Sequence, residues 1–299
     1  MIFFTQTHYR WQMAKIRILS IYNDGSRPGT NIIGAKGQSL LVNVDGKRIL
    51  FDTGMRGRYL MHNLAALKID PQSIDTVVLS HGHRDHTGGL PELLSSREEP
   101  VELFHHPLCK RKRARGLGGI PYKALSPPRL LEEQREKLIS RPVERFTILS
   151  EHAALMTAPP LLERDATEGL LVKEEGEWIR DRMEDELTLL LSAEEGLLLV
   201  TGCCHRGILN VLLSVRESFE APIAALVGGL HMGSFSDDEI DYFVHRLRSD
   251  FDSPKLYLNH CTGEKAITRM RHNLGLHGVT DFLAGDSLEF NQAVRNIFI

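Results

Sequence analysis

The stretch Ser80-His81-Gly82-His83-Arg84-Asp85-His86-Thr87-Gly88-Gly89-Leu90 constrains this chain more than any other, because it sets three imidazoles and a carboxylate within six positions. His81 and His83 are two apart, so in an extended segment both side chains leave on the same side and can share one ion. Asp85 and His86 follow where the chain should turn toward a helix, and they face another way. Two adjacent metal sites are therefore expected. The preceding Ile74-Asp75-Thr76-Val77-Val78-Leu79-Ser80 reads as a buried strand. The donors then sit at a strand's C-terminal end, where open α/β sheets place ligands and catalytic groups. A His-rich surface loop is the competing reading, but it does not account for an apolar strand before the run and a Gly-Gly turn after it.

The pattern His-x-His-x-Asp-His resembles the signature of the metallo-β-lactamase superfamily. The resemblance implies an α/β (α+β) chain folded as a four-layer αββα sandwich. It also implies a dinuclear centre of two divalent metal ions, most often zinc, sometimes manganese or iron. The oxygen-reducing di-iron branch typically carries Glu where this chain has His83, so a hydrolase-type zinc centre is the expectation.

A chain of 299 residues with 42% hydrophobic content can bury a full core. We expect a single domain over residues 15–299, with residues 1–14 as an extension and a variable excursion at about 107–186. The formal charge of −3 gives no global basic field, so nucleic acid is not an expected partner. Cys109, Cys203, Cys204 and Cys261 lack disulfide-type spacing, which fits reduced thiols in a cytoplasm. No apolar run approaches the ~18 to 20 residues of a membrane span.

Ile16–Tyr22 reads as a strand, and the Gly/Asn/Pro-rich residues 23–37 as a loop near the site. Asp45-Gly46 between two apolar runs is a strong hairpin signal. The second run ends in Asp52-Thr53-Gly54, which resembles the superfamily's first motif. That likeness implies that Asp52 orients the metal loop by hydrogen bonds and does not bind metal itself. Beyond the donor run, His105-His106 at a strand end reads as polar loop, substrate contact or further ligand. The concentrated basic run Lys110-Arg111-Lys112-Arg113-Ala114-Arg115 reads either as a solvated loop or as a clamp for an anionic substrate group, with Lys110, Arg111, Arg113 and Arg115 as the contacts.

In the second half, apolar runs flank Glu194-Glu195-Gly196 as another hairpin, and the second run enters Thr201-Gly202-Cys203-Cys204-His205-Arg206-Gly207. Much of the superfamily carries a bridging Asp where Cys203 stands. Thiolate is a legitimate zinc ligand, but a neutral imidazole binds without a lowered thiol pKa, so His205 is preferred over Cys203. His231, at the next strand end, reads as substrate contact, ligand or core histidine. His260, before Cys261-Thr262-Gly263, resembles the superfamily's final ligand.

Taken together, these motifs resemble the branch named for 7,8-dihydropterin-6-yl-methyl-4-(β-D-ribofuranosyl)aminobenzene-5′-phosphate synthase, whose members are often described as metal-dependent hydrolases. The resemblance implies a phosphorylated, pterin-related small-molecule substrate. The expected ligand sets are His81, His83 and His205 for one ion, and Asp85, His86 and His260 for the other, with Asp85 also a proton acceptor. A phosphodiesterase, thioesterase or lactonase of the same fold, and a non-catalytic metal-binding regulator, are the alternatives.

Overall fold

The structure is a computed structural model and describes residues 14–294 and 297–298, so the expected extension lies almost wholly outside the described residues. From the N-terminal side run β1 (Lys15–Tyr22), β2 (Ser39–Val44), β3 (Lys47–Phe51), α1 (Gly57–Ala66), β4 (Thr76–Val78), α2 (Arg84–Thr87), α3 (Leu90–Ser95) and β5 (Val101–His105). β6 (Arg113–Leu117), β7 (Ile120–Ala124), α4 (Glu132–Glu136), β8 (Leu138–Pro142), β9 (Thr147–Ser150), β10 (Ala153–Thr157), β11 (Leu170–Glu174) and β12 (Glu177–Arg180) follow. The chain closes with β13 (Leu187–Ala193), β14 (Gly196–Thr201), α5 (Ile208–Ser218), β15 (Ile223–Gly228), α6 (Asp237–Asp250), β16 (Lys255–Leu258), α7 (Glu264–Leu274), β17 (Val279–Asp281) and β18 (Ser287–Asn291).

The strand sequences dictate the layering. Successive strand residues point to opposite faces, so a strand that is apolar at every position must be covered on both sides. In β2, Leu40, Val42 and Val44 enter a core shared with Leu189, Leu191, Leu198 and Val200, while Leu41 turns the other way toward Leu60 and Leu64 of α1. In β14, Leu198 and Val200 face that same shared core, while Leu197 and Leu199 pack on Leu212 of α5 and Phe243 of α6. Each such side chain contributes about 1.5–3 kcal/mol on full burial. The result is helix, sheet, sheet, helix, with strand orders β18-β1-β2-β3-β4-β5-β8 and β17-β16-β15-β14-β13-β10-β9.

Turn chemistry agrees with the sequence reading. Asp45 and Gly46 take φ of 52° and 74°, the positive pair that a two-residue hairpin between β2 and β3 requires. The Glu194-Glu195-Gly196 hairpin forms between β13 and β14. Ser236 and Glu239 form the reciprocal capping box of α6.

Two features depart from a plain reading of the strands. β4 has only three strand residues instead of the full apolar run: Ile74 closes the turn that begins at Pro71, and at the other end the Ser80 N–H bonds the Asp52 carboxylate at 2.7 Å. Within residues 107–186, β8 extends the first sheet and β9 and β10 the second. Only β6, β7, β11 and β12 stand apart, as a four-stranded sheet ordered β12-β11-β6-β7. Among the described residues no helix is long and apolar enough to cross a membrane.

Candidate metal centre

Asp52 organises the site from the end of β3. It is fully buried and sits at φ 65°, a left-handed conformation that turns the chain away from the strand. Its Oδ1 accepts from Ser80 N at 2.7 Å; its Oδ2 accepts from Ser80 Oγ at 2.7 Å and faces His86 Nδ1 at 2.7 Å. Ser80 Oγ is also 2.9 Å from His81 Nδ1. With the hydroxyl proton directed to Asp52, both Nδ1 atoms carry hydrogens, and both Nε2 atoms present lone pairs to the cavity. A Cβ at Gly202 would collide with Ser80 Oγ, so only glycine lets the end of β14 close on this network.

The remaining donors arrive from strand ends of both sheets. His81, His83 and His205 hold donor atoms within 4.8 Å of one another, and so do Asp85, His86 and His260. Cys203 joins both neighbourhoods: it groups with His81 and His86, with His205 and His231, and with His260 and Cys261. Its Sγ lies 3.1 Å from His86 Nε2. Buried nitrogens of His81, His83, His205, His231 and His260 have no hydrogen-bond partner. Orphaned buried polar atoms cost about 1–3 kcal/mol each, so five clustered rings with unpartnered nitrogens form a donor set that a transition-metal ion fits.

Electrostatics agrees with that fit. Burial pushes His81, His83 and His205 well below the usual histidine range, which keeps them neutral and able to ligate. Asp85 is held low: burial opposes ionisation, but His86, His260, His83 and Lys36 together outweigh it. His260 goes the other way. Burial lowers it, yet Cys261, the Asp24 carboxylate at 2.8 Å and Asp85 raise it to about 9, so a cation here competes with a proton. Burial raises the Cys203 thiol; burial also works on Cys261, where the Cys203 hydrogen bond, His260 and His231 win and draw it down.

The fold agrees with the sequence comparisons. The profile of the metallo-β-lactamase superfamily matches residues 34–159. A "7,8-dihydropterin-6-methyl-4-(beta-D-ribofuranosyl)-aminobenzene-5'-phosphate synthase" from Methanocaldococcus jannaschii is 30% identical over 264 residues, covering 84% of this chain and 89% of that protein. The chain belongs to the metallo-β-lactamase superfamily. A crystal structure described as a metal-dependent hydrolase of the β-lactamase superfamily superposes with a TM-score of 0.79 at 30% identity, over 92% of this chain and 99% of that one. Zn(2+)-bound PqqB from Methylobacterium extorquens shares the fold alone, with a TM-score of 0.56 at 14% identity over 92% of this chain and 99% of that one.

Within this metallo-β-lactamase fold the basic run divides, and the anion-clamp expectation fails for Arg113. That side chain is 2% exposed, pairs with Asp181 at 2.6 Å and Asp185 at 2.8 Å, and also donates to the Leu108 and Cys109 carbonyls. Tertiary packing against β11 and the segment after β12 overrides the apparent solvation of an Arg in a charged run. Arg111 pairs with Glu174 at 3.1 Å and Arg115 is exposed, so neither joins the donor cluster. Lys110 and Lys112 line a separate cavity. His105 is satisfied by His106 O and Ser140 Oγ, and the His106 ring caps Leu108 N, which keeps both outside the centre.

Several working residues carried no signal in the sequence. Asp185 Oδ2 accepts from Gly82 N at 2.8 Å and thereby fixes the backbone between His81 and His83. Glu186 accepts from His205 N at 2.6 Å and Arg206 N at 2.8 Å, with burial raising its pKa to about 8. Asp24 and Asn23 hold His260 by side chain and backbone. Each is an acid or amide in a polar loop, and only the distant partner reveals its purpose. Cys204, His231 and His260 share Asp52's left-handed backbone, at φ 58°, 48° and 47°. Such conformations cost of order 1–3 kcal/mol each and collect at functional sites.

Proposed function

We propose that the chain is a hydrolase-like enzyme of the metallo-β-lactamase fold that uses two divalent ions, zinc first among them, on a small phosphorylated, pterin-related molecule. The single observation that carries this reading is the pair of adjoining donor sets in which His81, His83, His205 and His260 each keep a buried nitrogen without a hydrogen-bond partner. His81, His83 and His205 would hold one ion, and Asp85, His86 and His260 the other. Cys203 stands where a donor touches both. The nitrogen, sulfur and carboxylate mixture suits zinc better than magnesium or calcium.

Ions held there would supply Lewis-acid polarisation of the substrate and acidify water near neutral pH. The chain's own groups then orient and balance charge. Asp85, held ionised, serves first as a ligand to a cation; a carboxyl drawn so low is a weak proton acceptor. His231, half-buried with a free Nδ1 beside the His205 ring, would serve as a substrate contact. Lys36, 3.8 Å from Asp85 and more than half exposed, gives the mouth a cation suited to a phosphate. The phosphorylated pterin assignment rests on the name of the Methanocaldococcus jannaschii relative.

The test is reconstitution with zinc or manganese, elemental analysis, and a panel of pterin, phosphodiester, thioester and lactone substrates. About two metal equivalents and turnover that prefers a phosphorylated pterin over its dephosphorylated counterpart are expected. Absence of bound metal would sink the enzyme reading, and equal rates on both counterparts would sink the substrate assignment. Asp85→Asn is expected to lower turnover far more than thermal stability.

A further inference from the structure

A cavity of about 630 Å³ lies beside the donor run on the outer face of the first sheet, and none of the clustered metal donors lines it. Leu79 and Thr87 in its wall flank the run on either side. Its floor is Leu90, Leu103 and Cys109, all buried, and its cover is the segment holding Pro127, Pro128 and Leu130. The polar wall groups are already spent: His105 binds His106 O and Ser140 Oγ, and Ser126 Oγ binds the Arg113 backbone. A molecule inside would meet mainly apolar contacts.

The rim differs sharply in character. Lys110, Lys112, Arg129 and Arg135 stand round it, and no Asp or Glu lines the cavity. Arg135 has a carboxylate neighbour, Glu132 at 3.7 Å, whereas Lys110, Lys112 and Arg129 have no ion-pair partner among the described residues. This also accounts for two of the five cations of the basic run. Arg111 and Arg113 turn to the carboxylates of β11 and of the segment after β12, while Lys110 and Lys112 turn to the cavity.

An apolar hollow of this size with convergent cations matches one kind of ligand. The apolar walls reward a body that leaves water, and the unpaired cations reward one anionic head by charge-assisted contacts. We propose that this cavity binds a small amphipathic anion, an apolar chain or ring bearing one carboxylate or phosphate, at a site separate from the metal centre.

The test uses the metal-loaded full chain and the fluorescent amphiphile anilinonaphthalene sulfonate. Saturable binding of about one equivalent is expected, displaced by decanoate or decyl phosphate and not by decanol, acetate or inorganic phosphate. Whichever of the two decyl anions competes at lower concentration assigns the head group. Lys110→Ala with Lys112→Ala should weaken displacement at least tenfold, and Leu130→Trp should block the cavity from its cover; both should leave metal content unchanged. Arg115→Ala, outside the cavity, should bind as the parent does. Equal competition by decanol, or undiminished binding in the double lysine variant, would overturn the proposal. So would loss of probe binding on chelation with the fold intact, since the probe would then sit at the metals.

Discussion

Arg113→Met removes the cation from a buried cluster in which Arg113 is 2% exposed, the Asp181 side chain 5% and the Asp185 side chain 0%. Methionine fills similar volume, so packing loss is small and the chief effect is electrostatic. Two carboxylates then remain buried without their counter-ion. Breaking a buried pair by deleting one partner costs about 3–5 kcal/mol. For a chain of this length that lowers the thermal midpoint by roughly 6–10 °C, at about 2 °C per kcal/mol. The pH dependence gives a second reading. Burial already raises Asp185 above the usual carboxylate range, and losing Arg113 raises it further. A carboxyl whose folded pKa exceeds its unfolded value destabilises the fold when ionised, so the deficit should be full above the folded pKa and shrink as pH falls through it. Because Asp185 holds Gly82 N, metal content should fall as well. Thermal melts across pH 5 to 8 on metal-loaded and chelated protein, with exposed Arg115→Ala as control, test this. A midpoint within 2 °C of the parent at every pH would refute the cluster's assigned role.

Other substitutions probe the centre directly. Cys203 groups with donors on both sides, so Cys203→Ser should weaken both metal equivalents, whereas His205→Ala should leave one bound; elemental analysis against graded chelator separates the cases, and the reverse ranking would remove Cys203 from its shared position. Asp52→Asn keeps the shape but exchanges a charged acceptor for an amide facing Ser80 and His86. A loss of roughly 1.5–3 kcal/mol in urea melts and reduced metal content are expected, and an unperturbed variant would mean that Asp52 does not set the imidazole orientations. Gly202→Ala should lose metal through collision with Ser80, while Gly46→Ala, at φ 74° with open space around it, should cost only about 1 kcal/mol and keep full metal content.

The legible part of this protein was whatever depends on short-range spacing. His81, His83, Asp85 and His86 lie within one turn-sized segment, so their common purpose shows in the chain itself. The two Gly-containing hairpins and the Ser236–Glu239 cap are likewise local, because φ preference and capping geometry act over two to four residues. The apolar runs of β2, β13 and β14 read as strands, whereas the layered sandwich was an expectation carried by the likeness of the donor run to the metallo-β-lactamase signature.

Tertiary structure alone decided what depended on residues far apart in sequence. Arg113 looks like its neighbours in a solvated basic run, and only its meeting with Asp181 and Asp185, some seventy positions on, makes it a buried strut. Glu186 and Asp24 read as ordinary loop acids until the fold brings them against His205 and His260. Cys203 and His205 could be ranked from thiol and imidazole chemistry, yet their shared access to the donor cluster follows from β14 ending beside the β4 loop, where Gly202 permits contact. Periodicity and turn chemistry are written in neighbouring residues. Ion pairing, desolvation and metal geometry depend on distance in space, which the chain acquires only when its two sheets close on each other.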